Sequence, residues 1–176
     1  MQPLGDYIDG AFHAPQGEPL VSRNPARAGA PVLETAWDPA RVGLAAAAAT
    51  AAAPAWAALS IDDRFQRLMA FRSAIAERKE SIAEAITLET GKLHSEARGE
   101  VGSLLARFDL VKSIVDRDFV SGPLAGRPSE QLRYHALGVV GVIGPFNYPV
   151  HLCHAHAVPA LLLGNAVIVK PSEVSR

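Results

Sequence analysis

The strongest constraint on what this chain can fold into lies between residues 138 and 173. The apolar run Gly138 to Gly144 is followed by Pro145-Phe146-Asn147-Tyr148-Pro149, then His151 to Gly164, then a second apolar run from Asn165 to Lys170 and Pro171-Ser172-Glu173. Short apolar runs bounded by Gly and Pro read as buried strands, and two of them joined by a helix-length segment make a βαβ unit. Such a crossover predicts parallel strands over 138–143 and 166–170. It also puts Asn147 and Lys170 at the carboxyl edge of one sheet, where open α/β sheets bind ligands.

The upstream sequence reads as a short β-leaning arm and then helices. Within 1–37, Tyr7-Ile8, Phe12, Leu20-Val21 and Val32-Leu33 fall between Pro- and Gly-containing turns and predict small strands. The span 38–118 is helical. Asp38-Pro39 opens a helix through about Ala53 that Pro54 is expected to end or kink. Ser60-Ile-Asp-Asp63 has the form of a capping box and starts a second helix over 60–78. Ser81 to Thr90 predicts a third, stopped by Gly91 in a left-handed turn. From Ser95 to Arg117 the positions Val101, Leu104, Leu105, Phe108, Val111 and Val115 hold one apolar stripe. Residues 120–130, with Gly122-Pro123, Gly126 and Pro128, predict a loop, and Gln131 to Leu137 a strand ahead of the βαβ unit over 131–176. The fold class expected is α/β: a helical layer with small amino-terminal strands, leading into part of a parallel sheet.

With 17 Lys+Arg against 18 Asp+Glu, the charge marks neither a nucleic-acid nor an anionic-membrane partner. The apolar runs are shorter than the roughly 20 residues of a membrane span, and Met1-Gln-Pro-Leu-Gly-Asp6 has no basic region leading into an apolar segment. One cysteine excludes an internal disulfide framework and fits a reducing, cytoplasmic setting.

Pro145-Phe146-Asn147-Tyr148-Pro149 with Lys170-Pro171-Ser172-Glu173 resembles the aldehyde dehydrogenase superfamily. Tyr7-Ile8-Asp9-Gly10, Arg23-Asn24-Pro25 and Leu88-Glu89-Thr90-Gly91-Lys92 match further landmarks in the same order, so the resemblance spans nearly the whole chain. The Gly-Pro-Phe-Asn-Tyr-Pro run with His151 and His156 most resembles the branch acting on N-succinylglutamate semialdehyde in arginine catabolism. The resemblance implies an amino-terminal portion of the cofactor-binding domain, with the catalytic domain, its nucleophilic Cys and its general-base Glu lying beyond it. It further implies a small aldehyde as substrate, NAD or NADP as cofactor, and a homo-oligomer at full length. The 176 residues alone are expected to be inactive and prone to self-association.

Carried over residue by residue, the resemblance makes Asn147 an oxyanion donor. Negative charge develops on the carbonyl oxygen when a thiolate attacks an aldehyde, and a neutral amide N–H stabilises it without competing for protons. Read alone, without the family pattern, Asn147 is more simply a turn former between prolines. Lys170 and Glu173 become contacts to the adenosine ribose, with Ser172 beside them, while Ile143, Gly144, Pro145 and Phe146 supply backbone and wall. The family more often has Trp at position 146; Phe keeps the aromatic wall and loses an N–H donor. Glu173 against a ribose 2′-hydroxyl would repel a 2′-phosphate and favour NAD. Without the motif context, Lys170 and Glu173 are ordinary strand-end charges.

Three other patterns are weaker. Gly138, Gly141 and Gly144 give G-x-x-G-x-x-G, not the dinucleotide fingerprint, and suit strand and turn geometry. Gly91-Lys92 lacks the upstream glycine of a phosphate loop. His151, Cys153, His154 and His156 do not share a helix face, so no metal site is expected and Cys153 reads as a packing residue. Two other functions fit the same residues: a non-catalytic nucleotide-binding or interaction module, and a dehydrogenase for a different semialdehyde.

Overall fold

The computed structural model describes residues 4–175; the start of the chain at Met1, read above for a leader, lies outside them. Strands β1 (Asp6–Ile8) and β2 (Ala11–His13) form an antiparallel hairpin around Asp9 and Gly10, whose φ values are 51° and 77°. Positive φ at both turn positions gives the mirror-image turn that matches strand twist, and Asp-Gly is its favoured sequence. Strands β3 (Glu18–Asn24) and β4 (Ala30–Trp37) form a second antiparallel pair.

Four helices follow: α1 (Ala40–Ala57), α2 (Ile61–Glu77), α3 (Lys79–Thr90) and α4 (His94–Asp118). Ser60 Oγ accepts from Asp63 N at 3.0 Å at the start of α2 and donates to Asp63 Oδ2 at 2.6 Å, so Asp63 bonds the cap hydroxyl instead of reaching back to the Ser60 N–H. Asp is one methylene shorter than the Glu of a full capping box. Gly91 stops α3 at φ 72°. The stripe on α4 forms the centre of the core: Val101, Leu104 and Phe108 are fully buried, against Leu68 and Ile75 of α2 and Ile86 of α3.

Strands β5 (Gly122–Leu124) and β6 (Arg127–Leu132) form an antiparallel ribbon, followed by β7 (Val139–Ile143), α5 (His151–Leu162) and β8 (Ala166–Lys170). β7 and β8 are parallel, in register from Val139 opposite Ala166 to Ile143 opposite Lys170. Both α1 and α5 pack on this pair. No helix among the described residues is long and apolar enough to cross a membrane.

Two sequence expectations are corrected. Residues 120–130 hold most of the β5–β6 ribbon where a loop was expected, and of the strand expected over 131–137 only Gln131 and Leu132 are in one, at the end of β6. Every residue of β6 is exposed, so no alternation marks it, and Gly126 at φ 76° turns the ribbon. Pro54 does not end α1, which continues to Ala57. The turn after Pro54 is held from outside, where Trp56 Nε1 donates to Leu161 O at 2.8 Å and Arg64 Nη1 donates to Ala57 O at 3.1 Å.

Arg64 is 6% exposed. Besides Ala57 O, its guanidinium donates to Leu59 O at 2.5 Å and, through Nε, to Leu162 O at 2.9 Å. One cation therefore satisfies carbonyls at the carboxyl ends of both α1 and α5, where the helix dipoles favour positive charge.

Candidate functional site

The carboxyl edge of the β7–β8 pair carries the residues singled out from the sequence. Gly144 N donates to Lys170 O at 2.8 Å, extending the parallel ladder by one bond. A Cβ on Gly144 would lie 2.3 Å from Cys153 Sγ, so only glycine permits this approach of strand and helix. Cys153 is correspondingly buried, and burial pushes its thiol above the usual cysteine range, which suits packing and not nucleophilic attack.

Beyond Gly144 the chain turns outward. Ile143 is 82% exposed and Phe146 59%, and Asn147 and Tyr148 are also exposed. Asn147 follows β7 and Lys170 ends β8, so both sit at the edge predicted from the crossover. No described residue accepts a hydrogen bond from the Asn147 carboxamide, whereas its main-chain carbonyl accepts from Lys92 Nζ at 2.8 Å.

Lys170 Nζ lies 3.1 Å from Glu173 Oε2, with both side chains exposed. Ser172 points the other way: it is buried, and its Oγ accepts from Val174 N at 3.1 Å. The segment is pinned from β3, where Ser22 Oγ donates to Val174 O at 2.9 Å. Thus Lys170, Glu173, Ile143, Phe146 and Asn147 face outward, whereas Gly144 and Ser172 shape the backbone. An exposed apolar rim with one ammonium and one carboxylate fits a dinucleotide, whose ribose hydroxyls both donate and accept.

Sequence reasoning missed three residues that fix α5 and the strands around it. Asn165, 6% exposed, accepts from Leu137 N at 2.7 Å and Gly138 N at 3.1 Å through Oδ1 and donates to Ala160 O at 3.0 Å, tying the start of β7 to the end of α5. Glu100 and Lys92 act at the other end of α5, where Glu100 Oε1 accepts from Val150 N at 3.0 Å and His151 N at 3.1 Å. The available signal was an absence: α5 starts after Pro149-Val150, with no Ser, Thr, Asp or Asn to cap it.

Residues 12–176 match the aldehyde dehydrogenase family. The chain belongs to this family. Among curated relatives, the N-succinylglutamate 5-semialdehyde dehydrogenase of Chromobacterium violaceum is 40% identical over 171 residues, covering 96% of this chain and 35% of the relative. The N-succinylglutamate 5-semialdehyde dehydrogenase 2 of Caulobacter vibrioides is 41% identical over 175 residues, with the same coverage. The chain thus spans about a third of the length of these relatives, 35% in each case. Among solved structures, lactaldehyde dehydrogenase from Escherichia coli superimposes with a TM-score of 0.87 at 32% identity, covering 96% of this chain and 36% of that one. An aldehyde dehydrogenase of Pseudomonas syringae complexed with NAD+ and octanal gives 0.87 at 32% identity, covering 96% and 35%. These likenesses make the chain an α/β portion of the aldehyde dehydrogenase nucleotide-binding domain.

In this aldehyde dehydrogenase segment the helix after the Asn turn carries two perturbed histidines. Burial holds His151 below the usual imidazole range, Arg107 adding to the effect and Glu100 opposing it; burial likewise lowers His154. Arg107 Nη2 lies 3.2 Å from His151 Nε2, and His154 Nδ1 lies 2.7 Å from Val150 O. Because the unfolded chain binds protons at these sites that the folded chain refuses, their contribution to stability is present above about pH 6.5 and lost as pH falls toward the lowered pKa values. Urea titrations at pH 7.5 and 5.5 should show a lower midpoint at 5.5, and His154→Gln should shrink the difference. An undiminished difference in that variant would assign the effect to other groups.

Proposed function

We propose that this chain is the oxyanion-donating and part of the cofactor-holding portion of an NAD-dependent dehydrogenase acting on N-succinylglutamate semialdehyde in the cytoplasm. What carries the proposal is the placement of Asn147, exposed on the turn after β7, at the same parallel-sheet edge as the exposed Lys170–Glu173 pair. The substrate is argued from relatives about 40% identical that bear that name.

The Asn147 N–H donates to the substrate carbonyl oxygen as negative charge builds there. Lys170 donates to ribose hydroxyls and Glu173 accepts from them, while Ile143, Pro145 and Phe146 form the apolar wall. A bound nicotinamide dinucleotide supplies the hydride acceptor. Cys153 is not the nucleophile: it is buried, and burial pushes its thiol above the usual cysteine range.

The test is a hybrid enzyme in which this chain replaces the matching third of the Chromobacterium violaceum relative. It should form NADH with N-succinylglutamate semialdehyde. In the hybrid, Lys170→Ala should raise KM for NAD by roughly tenfold with little change in kcat, because a ribose contact is alike in ground and transition states. Equal KM values would leave Lys170 a surface charge, and a higher kcat/KM for another semialdehyde would reassign the substrate.

A further inference from the structure

The Glu100 side chain is completely buried, and both of its oxygens are paired. Oε2 lies 2.5 Å from Lys92 Nζ, and Oε1 accepts from the Val150 and His151 amides. Lys92, 13% exposed, also donates to the Asn147 carbonyl, and its ammonium stands 3.9 Å from the centre of the Tyr148 ring. Desolvating a carboxylate and an ammonium is costly, and an apolar pair of similar volume often stabilises a fold as well. Stability alone is therefore a poor account of this pair. Its distinctive effect is geometric: two side chains from α4 and the turn before it grip the main chain at 147, 150 and 151.

We propose that Lys92 and Glu100 are positioning residues for Asn147. Lys92 fixes the carbonyl of Asn147 itself, and its charge covers the face of the next residue, Tyr148. Glu100 supplies from another helix the cap that α5 lacks and neutralises Lys92 in the same contact. The main chain is thus held at and after Asn147, so its carboxamide projects from a rigid turn. An oxyanion donor is effective only when held in place before charge develops, and small misplacements are costly. The inference rests on the role proposed for Asn147, but neither positioning residue touches a reacting atom.

Hydrogen exchange and 15N relaxation within the hybrid enzyme test the clamp directly. Glu100→Ala should speed exchange at Val150 and His151 by about tenfold or more, with less than about twofold change at Leu104 and Phe108 in the core of α4. Glu100→Gln, which keeps an acceptor, should restore most of that protection. Lys92→Met should lower the order parameters of Asn147 and Tyr148 while the α4 amides stay unchanged. Equal acceleration at all sites would mean a purely structural pair, and unchanged values at 147–151 would mean no clamp; either overturns the proposal. In the hybrid, Lys92→Met should lower kcat roughly 10- to 100-fold with KM for NAD within about twofold, and Lys92→Arg should recover part of the loss. A slow Asn147→Ala beside a Lys92→Met of normal kcat would overturn the clamp alone. An Asn147→Ala of normal kcat would instead remove the role of Asn147.

Discussion

Asn147→Ala in the hybrid enzyme lowers kcat by roughly 10²–10³ and leaves cofactor affinity nearly unchanged, the loss expected for one oxyanion donor. The substitution is a clean probe, since Lys92 holds the main-chain carbonyl of Asn147 and not its side chain. The turn therefore keeps its anchor when the carboxamide is removed. Asn147→Asp should be slower still, because a carboxylate there repels the developing alkoxide. Steady-state kinetics with a deuterated aldehyde decide the matter: unchanged kcat together with a full isotope effect would take Asn147 out of the mechanism.

Arg64→Met destabilises the chain by roughly 3–4 kcal/mol in urea unfolding. Methionine fills much of the volume but leaves the carbonyls of Ala57, Leu59 and Leu162 without their donor. Charge-assisted bonds contribute about 1.5–3 kcal/mol each, and the desolvation of the cation offsets part of their sum. Arg64→Lys should recover only a fraction, as one ammonium cannot span the ends of two helices in the way a planar guanidinium does. A change below about 1 kcal/mol for the methionine variant would mean that water replaces the guanidinium at these carbonyls.

Four of the landmarks legible in the sequence turn out to lie together, joined directly or through an adjacent residue. Pro25 packs so closely on Gly91 that a Cβ there would stand 2.8 Å from Pro25 Cγ. Lys92, the next residue, reaches Asn147 and Tyr148, and Ser22, three residues before Pro25, bonds the backbone just beyond Glu173. Arg-Asn-Pro, Glu-Thr-Gly-Lys, Phe-Asn-Tyr-Pro and Lys-Pro-Ser-Glu are thus consecutive links around one sheet edge. Their spacing along the chain hides this, because each contact joins residues tens of positions apart.

Local physics determined much of the molecule. The apolar stripe on α4, the Ser60 cap, the left-handed Gly91 and the two apolar runs flanking a helix each specify their element through periodicity, capping or turn geometry, which depend on neighbours within a few residues. The placement of Asn147 and Lys170 at one edge follows from the crossover in the same way. Tertiary structure alone decided the rest. It carried α1 past Pro54 through donors from α2 and its own Trp56, formed an exposed ribbon where no burial pattern marks a strand, and turned Ser172 inward while Lys170 and Glu173 face out. It also brought Glu100 to the start of α5, fifty residues away. A buried carboxylate has to find its donors wherever packing leaves them unsatisfied, and only the folded chain has such places.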